Sequence, residues 1–302
     1  MKLVLFLFTI LLSHSLLALE EKTIHIEGQS NGAWTSFSSS DELNMKRLFA
    51  LLSRSETGEK LLRLAKYKAG QNGETLSDVI KVGNGSLTDT TLVRKFSPQS
   101  PEHVVFESRS VVYINKNLSW DDALLDLSHE LTHYVYRSSF NPYGPDFNAK
   151  DFIKSTIEGE GGEVQAFLME CRVLRELFSR QVQGRSHCQK ITDDAGRLSS
   201  AKAVELFYDV GEYFDKFGTQ LKGRGLAGEL EHIKGTKINF ISSAYGVPYP
   251  MAALMEYDLV VEKVCENDKK RLAYMQQGPK RGPASVDTRF EQFKSSYQSR
   301  CK

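Results

Sequence analysis

The sequence predicts an α+β protein that is mostly α, with one small sheet just ahead of residue 120 and a helical C-terminal part. Two patterns carry this reading. Apolar residues recur at steps of three and four through several long segments, the period of a helix with one buried face. β-Branched and aromatic residues gather in two short runs, Val104-Val105-Phe106 and Val111-Val112-Tyr113-Ile114, which read as strands. The composition is that of a globular chain: 302 residues, 40% hydrophobic and 25% charged, long enough to bury a core without a staple and too apolar for a disordered polymer. With 39 Lys+Arg against 38 Asp+Glu the formal net charge is +1, which argues against a nucleic-acid binder driven by phosphate neutralisation.

In chain order, Met1-Lys2 precedes the charge-free run Leu3 to Leu12, and Ala18 stands before the first acids, Glu20 and Glu21. A cationic start, a short apolar run and a small residue before a polar segment describe a secretory signal peptide over residues 1–18. The run is too short to span a bilayer, which needs about 20 apolar residues. The expected mature protein is secreted or periplasmic, with no transmembrane anchor after cleavage. Residues 19–100 form an N-terminal lobe or pro-segment. It begins with an extended lead-in through Ser40, continues with helical patterning from Asp41 to about Lys68, and turns loop-like from Gly70 to Gly85 around one short helical turn. A core over 101–182 and a helical part over 183–302 complete the division.

Helical stripes follow the strands. Val164, Phe167, Cys171, Leu174 and Phe178 make one. Val204, Phe207, Val210, Phe214, Phe217 and Leu221 make another, Met251 to Cys265 supplies a third helix, and the Gly- and Pro-rich stretch 276–284 reads as a linker before a last amphipathic segment. Four cysteines in an exported chain permit two disulfides, and sequence neighbours favour Cys171–Cys188 and Cys265–Cys301. Asn84-Gly85-Ser86 and Asn117-Leu118-Ser119 match the acceptor pattern for N-glycosylation.

The chemistry concentrates in one helix. Ser119 caps a segment that runs without a breaker to Tyr136, with Leu124, Leu127, Leu131 and Val135 on one face. His129 and His133 are four apart and so project from one side, a turn apart, where two imidazoles can share a metal ion. Glu130 is rotated about 100° from His129. It falls outside that ligand pair but within reach of a proton on a metal-activated water. His-Glu-x-x-His on a helix is a zinc hydrolase pattern on those physical grounds. A third ligand is still needed. The route through a histidine close behind is closed, because Tyr136 and Ser139 stand where that pattern wants Gly and His. Downstream carboxylates, among them Glu158, Glu160, Glu163 and Glu170, remain open, as do His187 and His232.

With Glu163-Val164-Gln165-Ala166 opening the next apolar stripe, residues 103–180 resemble the gluzincin branch of the zincin-like metallopeptidases. There a His-Glu-x-x-His helix is followed by a helix bearing Glu, often as Glu-x-x-Ala. The resemblance implies a zincin-like core, zinc (Zn2+) held by His129, His133 and Glu163, Glu130 as catalytic base, and a polypeptide or peptide substrate. It also implies an upstream edge strand for substrate pairing, at Ser110 to Asn115. Asp126, three residues before His129, has two readings: holding a ligand imidazole from behind, or facing solvent. His232, Tyr245 and Tyr249 are candidates to donate to a transition state. Two other classes compete with the peptidase: a non-catalytic secreted zinc-binding module, and a helical envelope scaffold in which the motif is fortuitous.

Overall fold

The computed structural model describes residues 32–97, 99–138, 140–144, 146–178, 187–277 and 285–301. The expected signal peptide at 1–18, the lead-in up to residue 31, the boundary at 182 and most of the 276–284 linker lie outside those residues.

Helices dominate, as the apolar periodicity predicts. After a 3-10 turn at Trp34–Phe37 come α1 (Asp41–Leu52), α2 (Glu56–Gln71) and a single turn, α3 (Leu76–Val79). Ser40 and Ser55 cap α1 and α2 by accepting from the amides of Leu43 and Gly58. The sheet follows: β1 (Ile80–Gly83), β2 (Leu87–Ser97) and β3 (Ser100–Asn115), then α4 (Trp120–Tyr136), α5 (Ala149–Glu158) and α6 (Glu163–Leu177). Beyond a 3-10 turn at His187–Ile191 lie α7 (Ser200–Phe207), α8 (Phe214–Gly223), α9 (Tyr249–Gln277) and α10 (Ser285–Arg300).

The strand order is β1-β3-β2, with β1 parallel and β2 antiparallel to β3. The two predicted strands are therefore segments of one, β3, and they pair with two strands absent from the sequence reading. β1 falls in the stretch expected to be loop. Ser110–Asn115 is not an edge: Val112–Asn115 pair with β1 on one side, while Ser110–Tyr113 pair with β2 on the other. The long edge beside the motif helix belongs to β2, which the register Thr88↔Val112 holds alongside β3. The stripe from Val204 to Leu221 is likewise interrupted. After α7 the chain leaves the helix so that Val210 N–H donates to the Lys234 carbonyl at 2.8 Å, and Gly211 takes φ +50° against Ile238. Phe207, Val210, Phe217 and Leu221 are buried all the same, whereas Phe214 is exposed.

Two apolar clusters flank α4 and α6. One joins Trp34, α1, α2 and the sheet to Leu124, Leu127 and Leu131 of α4 and to Val173 and Leu177 of α6. The other joins Val164, Phe167, Cys171 and Leu174 of α6 to α5, α7, α8 and the start of α9. Both expected disulfides are formed, Cys171–Cys188 and Cys265–Cys301. Among the described residues no helix is long and apolar enough to cross a membrane. Because Leu127 is wholly buried on α4, Leu127→Ala is expected to lower unfolding free energy by about 2–5 kcal/mol, read from urea denaturation.

Candidate metal centre

Helix α4 is built to present its histidines. The Ser119 hydroxyl accepts from the Asp122 amide at 3.2 Å and donates to the Asp122 carboxylate at 2.8 Å, a closed N-terminal cap. The leucine face locks the helix rotation into the core, and His129 and His133 emerge together, ring centroids 4.9 Å apart. Between α5 and α6 the chain reverses through Gly159-Glu160-Gly161-Gly162. Gly161 adopts φ +67°, and a Cβ there would fall 2.3 Å from the Arg137 backbone nitrogen. Only glycine lets this turn press against the end of α4. The turn delivers two groups: its own Gly161 carbonyl and, one residue past Gly162, the Glu163 side chain.

The ligand atoms of His129, His133 and Glu163 lie within 4.8 Å of one another. His129 Nε2 is 3.3 Å from Glu163 Oε2, and His133 Nε2 is 3.5 Å from Glu163 Oε1. Those spacings lie at the long end of the range for N–H···O hydrogen bonds. They fit ligands sharing one ion, since bonds of about 2.0–2.1 Å at tetrahedral angles separate donor atoms by about 3.3 Å. The outer ring atoms point the same way. His133 Nδ1 lies 2.7 Å from the Gly161 carbonyl, which can only accept, so the proton sits on Nδ1 and the Nε2 lone pair faces inward. His129 Nδ1 is 3.2 Å from Glu170 Oε2, which plays the same part. The donor chemistry, two imidazole nitrogens and a carboxylate, suits a divalent cation of the zinc type.

The electrostatics agree. Burial alone would raise the Glu163 carboxyl, yet His133 and His129 hold it well below the ordinary carboxylate range. Burial would lower the His129 imidazole, but hydrogen bonds to Glu163 and Glu170 hold it well above its usual value. The carboxylates thus draw positive charge to the point where the Nε2 atoms converge, and a cation there satisfies the same field. Arg137, which caps α4, extends Nη2 to within 3.5 Å of Glu163 Oε1 and 3.3 Å of the Thr156 carbonyl.

Glu130 is buried beside this cluster but outside it. Its Oε2 accepts from the Thr88 hydroxyl at 2.7 Å, and its main-chain carbonyl lies 2.9 Å from the same hydroxyl. Glu170 stands behind His129 rather than among the converging atoms, and Glu160 is exposed. Glu158, also exposed, accepts from the Tyr208 hydroxyl at 2.6 Å. His187 packs on Phe240 and His232 on Tyr208, so neither histidine joins. Asp126 sits close by. Burial raises its carboxyl to about 6 against a hydrogen bond from Ser86, and Glu170, His129 and Glu130 all act on it. Tyr249 faces the same region, its phenol pushed well up by burial and by Glu163, Glu130, Glu170 and Asp126. Tyr245 is shifted up by burial and Glu256. Sequence reasoning missed Thr88, Arg137 and the Gly161 carbonyl. Only the glycine run ahead of Glu163 signals the last.

No family model, curated protein or solved structure matches this chain.

Two outcomes follow from the geometry. If the cluster holds a divalent metal, loss of an outer partner, as in Glu170→Gln, is expected to weaken its binding about 10–100-fold, and Glu163→Gln is expected to weaken it more, both measured by competition with a chromophoric chelator. Gly161→Ala forces a left-handed backbone onto alanine and drives its Cβ into Arg137. It should cost at least about 1–3 kcal/mol in thermal unfolding and weaken divalent-metal binding at the cluster by displacing the carbonyl behind His133.

Proposed function

We propose that this chain is an exported zinc-dependent metallopeptidase of the zincin-like type that hydrolyses peptide bonds, with Glu130 as general base. The observation that carries the reading is the convergence of His129 Nε2, His133 Nε2 and the Glu163 carboxylate beside a buried Glu130 that stays out of the ligand set. A purely structural site needs the first three groups and has no use for the fourth. The charge-free run at Leu3–Leu12 and the two disulfides support export, since such bonds persist in oxidising compartments.

Bound among the three ligands, zinc would supply Lewis acidity toward a water and the scissile carbonyl. The chain's own groups do the rest. His129 and His133 are held with Nε2 lone pairs inward by Glu170 and Gly161. Glu130, one turn position round the helix from His129, accepts the proton of the attacking water on its carboxylate and returns it to the leaving amine. Helix α4 holds Glu130 in register with the ligands, so base and electrophile share one rigid element.

The test is to load purified protein with zinc, count ions per chain, and follow cleavage of an unfolded polypeptide with and without chelator. Glu130→Gln should keep its zinc and lose about 10²–10⁴-fold in rate. A wild type without stoichiometric zinc, or a mutant that cuts as fast as the wild type, overturns the reading.

A further inference from the structure

We propose that Thr88, on strand β2, is a positioning residue for the general base: its hydroxyl holds Glu130 Oε2 and leaves Oε1 as the oxygen that receives the proton. The inference rests on the peptidase reading above and goes beyond it, because neither the motif nor the helix carrying it contains this residue.

Glu130 has a flexible side chain, and α4 fixes only its Cα and Cβ. A base that must take a proton from a water held at a fixed point gains from a fixed carboxylate, since misplacement by about 1 Å can cost about 100-fold. Among the described residues, Thr88 is the one that hydrogen-bonds this carboxylate, at 2.7 Å. The hydroxyl has a single proton to give. Its alternative acceptor, the Glu130 carbonyl, is farther at 2.9 Å and uncharged, so the carboxylate takes the proton. The carbonyl contact still serves, because it sets the hydroxyl against the helix backbone from which Glu130 itself projects.

The sheet explains why Thr88 arrives there. Thr88 is paired with Val112 of β3, and Val112 is wholly buried. Residues directly opposite on neighbouring strands share a face. The Thr88 hydroxyl is therefore turned toward α4, while its neighbours Leu87 and Asp89 turn outward and are exposed. A slip of one residue would replace the hydroxyl with Leu87 or Asp89, and Asp89 would set a second carboxylate against Glu130. The register thus places a neutral donor opposite the base. Serine keeps the same donor, and valine has the same shape without it.

The experiment compares wild type, Thr88→Val, Thr88→Ser, Glu130→Gln and the Thr88→Val/Glu130→Gln double variant, each zinc-loaded, on one unfolded polypeptide. Thr88→Val is expected to lower kcat about 10–100-fold, the usual cost of losing an outer partner, while KM and zinc affinity stay within about threefold. Thr88→Ser should return kcat to within about threefold of wild type, and the double variant should be no slower than Glu130→Gln alone. An unchanged kcat in Thr88→Val overturns the proposal. So does a loss that serine does not rescue, a parallel loss of zinc, or losses that multiply in the double variant. A crystal structure of Thr88→Val separates the two claims without any activity: the Glu130 carboxylate should leave its place, and a carboxylate still in place overturns the positioning role. Equal rates for wild type and Glu130→Gln, by contrast, sink the peptidase reading itself.

Discussion

The contact between α4 and α6 is the constraint on which the rest of the molecule depends. Of the three side chains that could hold a metal ion, two come from the middle of one helix and the third from the first residue of the other, so their separation is set by how those helices pack. α6 is held from both sides, α4 mainly from one. α4 places Leu124, Leu127 and Leu131 in the N-terminal core. α6 spreads its apolar residues across both cores, with Val173 and Leu177 in one and Phe167, Cys171 and Leu174 in the other. Glu176 on α6 accepts from the Thr57 amide at 2.9 Å and from its hydroxyl at 2.6 Å. A carboxylate is thereby placed at the positive end of α2, which binds the N-terminal helices to α6. Cys171–Cys188 fixes the opposite side.

That packing gathers buried charge that the fold must balance. Glu130 and Glu163 are both buried, Glu170 and Asp126 lie within electrostatic reach, and burial together with Glu163 and Asp89 also pushes the Glu256 carboxyl up against the pull of Arg137. Carboxylates taken out of water are costly without partners. The chain supplies few cations here: Arg137 and whatever charge the histidines carry. A site with more acids than bases, arranged round two imidazoles, is one that could hold a metal cation. Burial first, and then these carboxylates, push the phenol of Tyr249 well above its ordinary value.

How much of this was legible in the sequence follows from what makes each element form. α4, α6 and the cap at Ser119 rest on local periodicity and local hydrogen bonds, which a sequence displays; the two histidines were readable as a motif and a spacing, and Glu163 through the resemblance to the gluzincins. Cysteine order alone gave the disulfide pairs. β2 escaped because Leu87-Thr88-Asp89-Thr90-Thr91 is an edge strand, exposed along much of its length, and so lacks the apolar run that marks a buried strand. β1, only four residues long, exists through its pairing with β3. The break after Phe207 comes from a backbone link to Lys234, a partner no window of sequence contains. Thr88 and the Gly161 carbonyl were illegible for the same reason: each acts on a residue 28 or more positions away.

The far end of β2 shows how a site can depend on contacts distant from it. Arg94 is buried, forms an ion pair with Asp268, hydrogen-bonds Asn267, and lays its guanidinium 3.7 Å over the ring of Tyr143. Arg300 of α10 approaches the other oxygen of Asp268 at 3.5 Å and reaches the carbonyls of Tyr143 and Gly144. The neighbouring disulfide, Cys265–Cys301, ties α10 to α9 beside that pair. A buried ion pair adds little net stability, but breaking it by removing one partner is expensive, so it specifies position strongly. Here it specifies where β2 runs. The strand is paired with β3 along its length, Thr88 near its start and Arg94 toward its end, where this clamp also holds it to α9. The C-terminal helices thus contact the same strand that carries Thr88. The same α9 that receives Arg94 begins at Tyr249, beside the His129–His133–Glu163 cluster, so one helix runs from the clamp to that cluster.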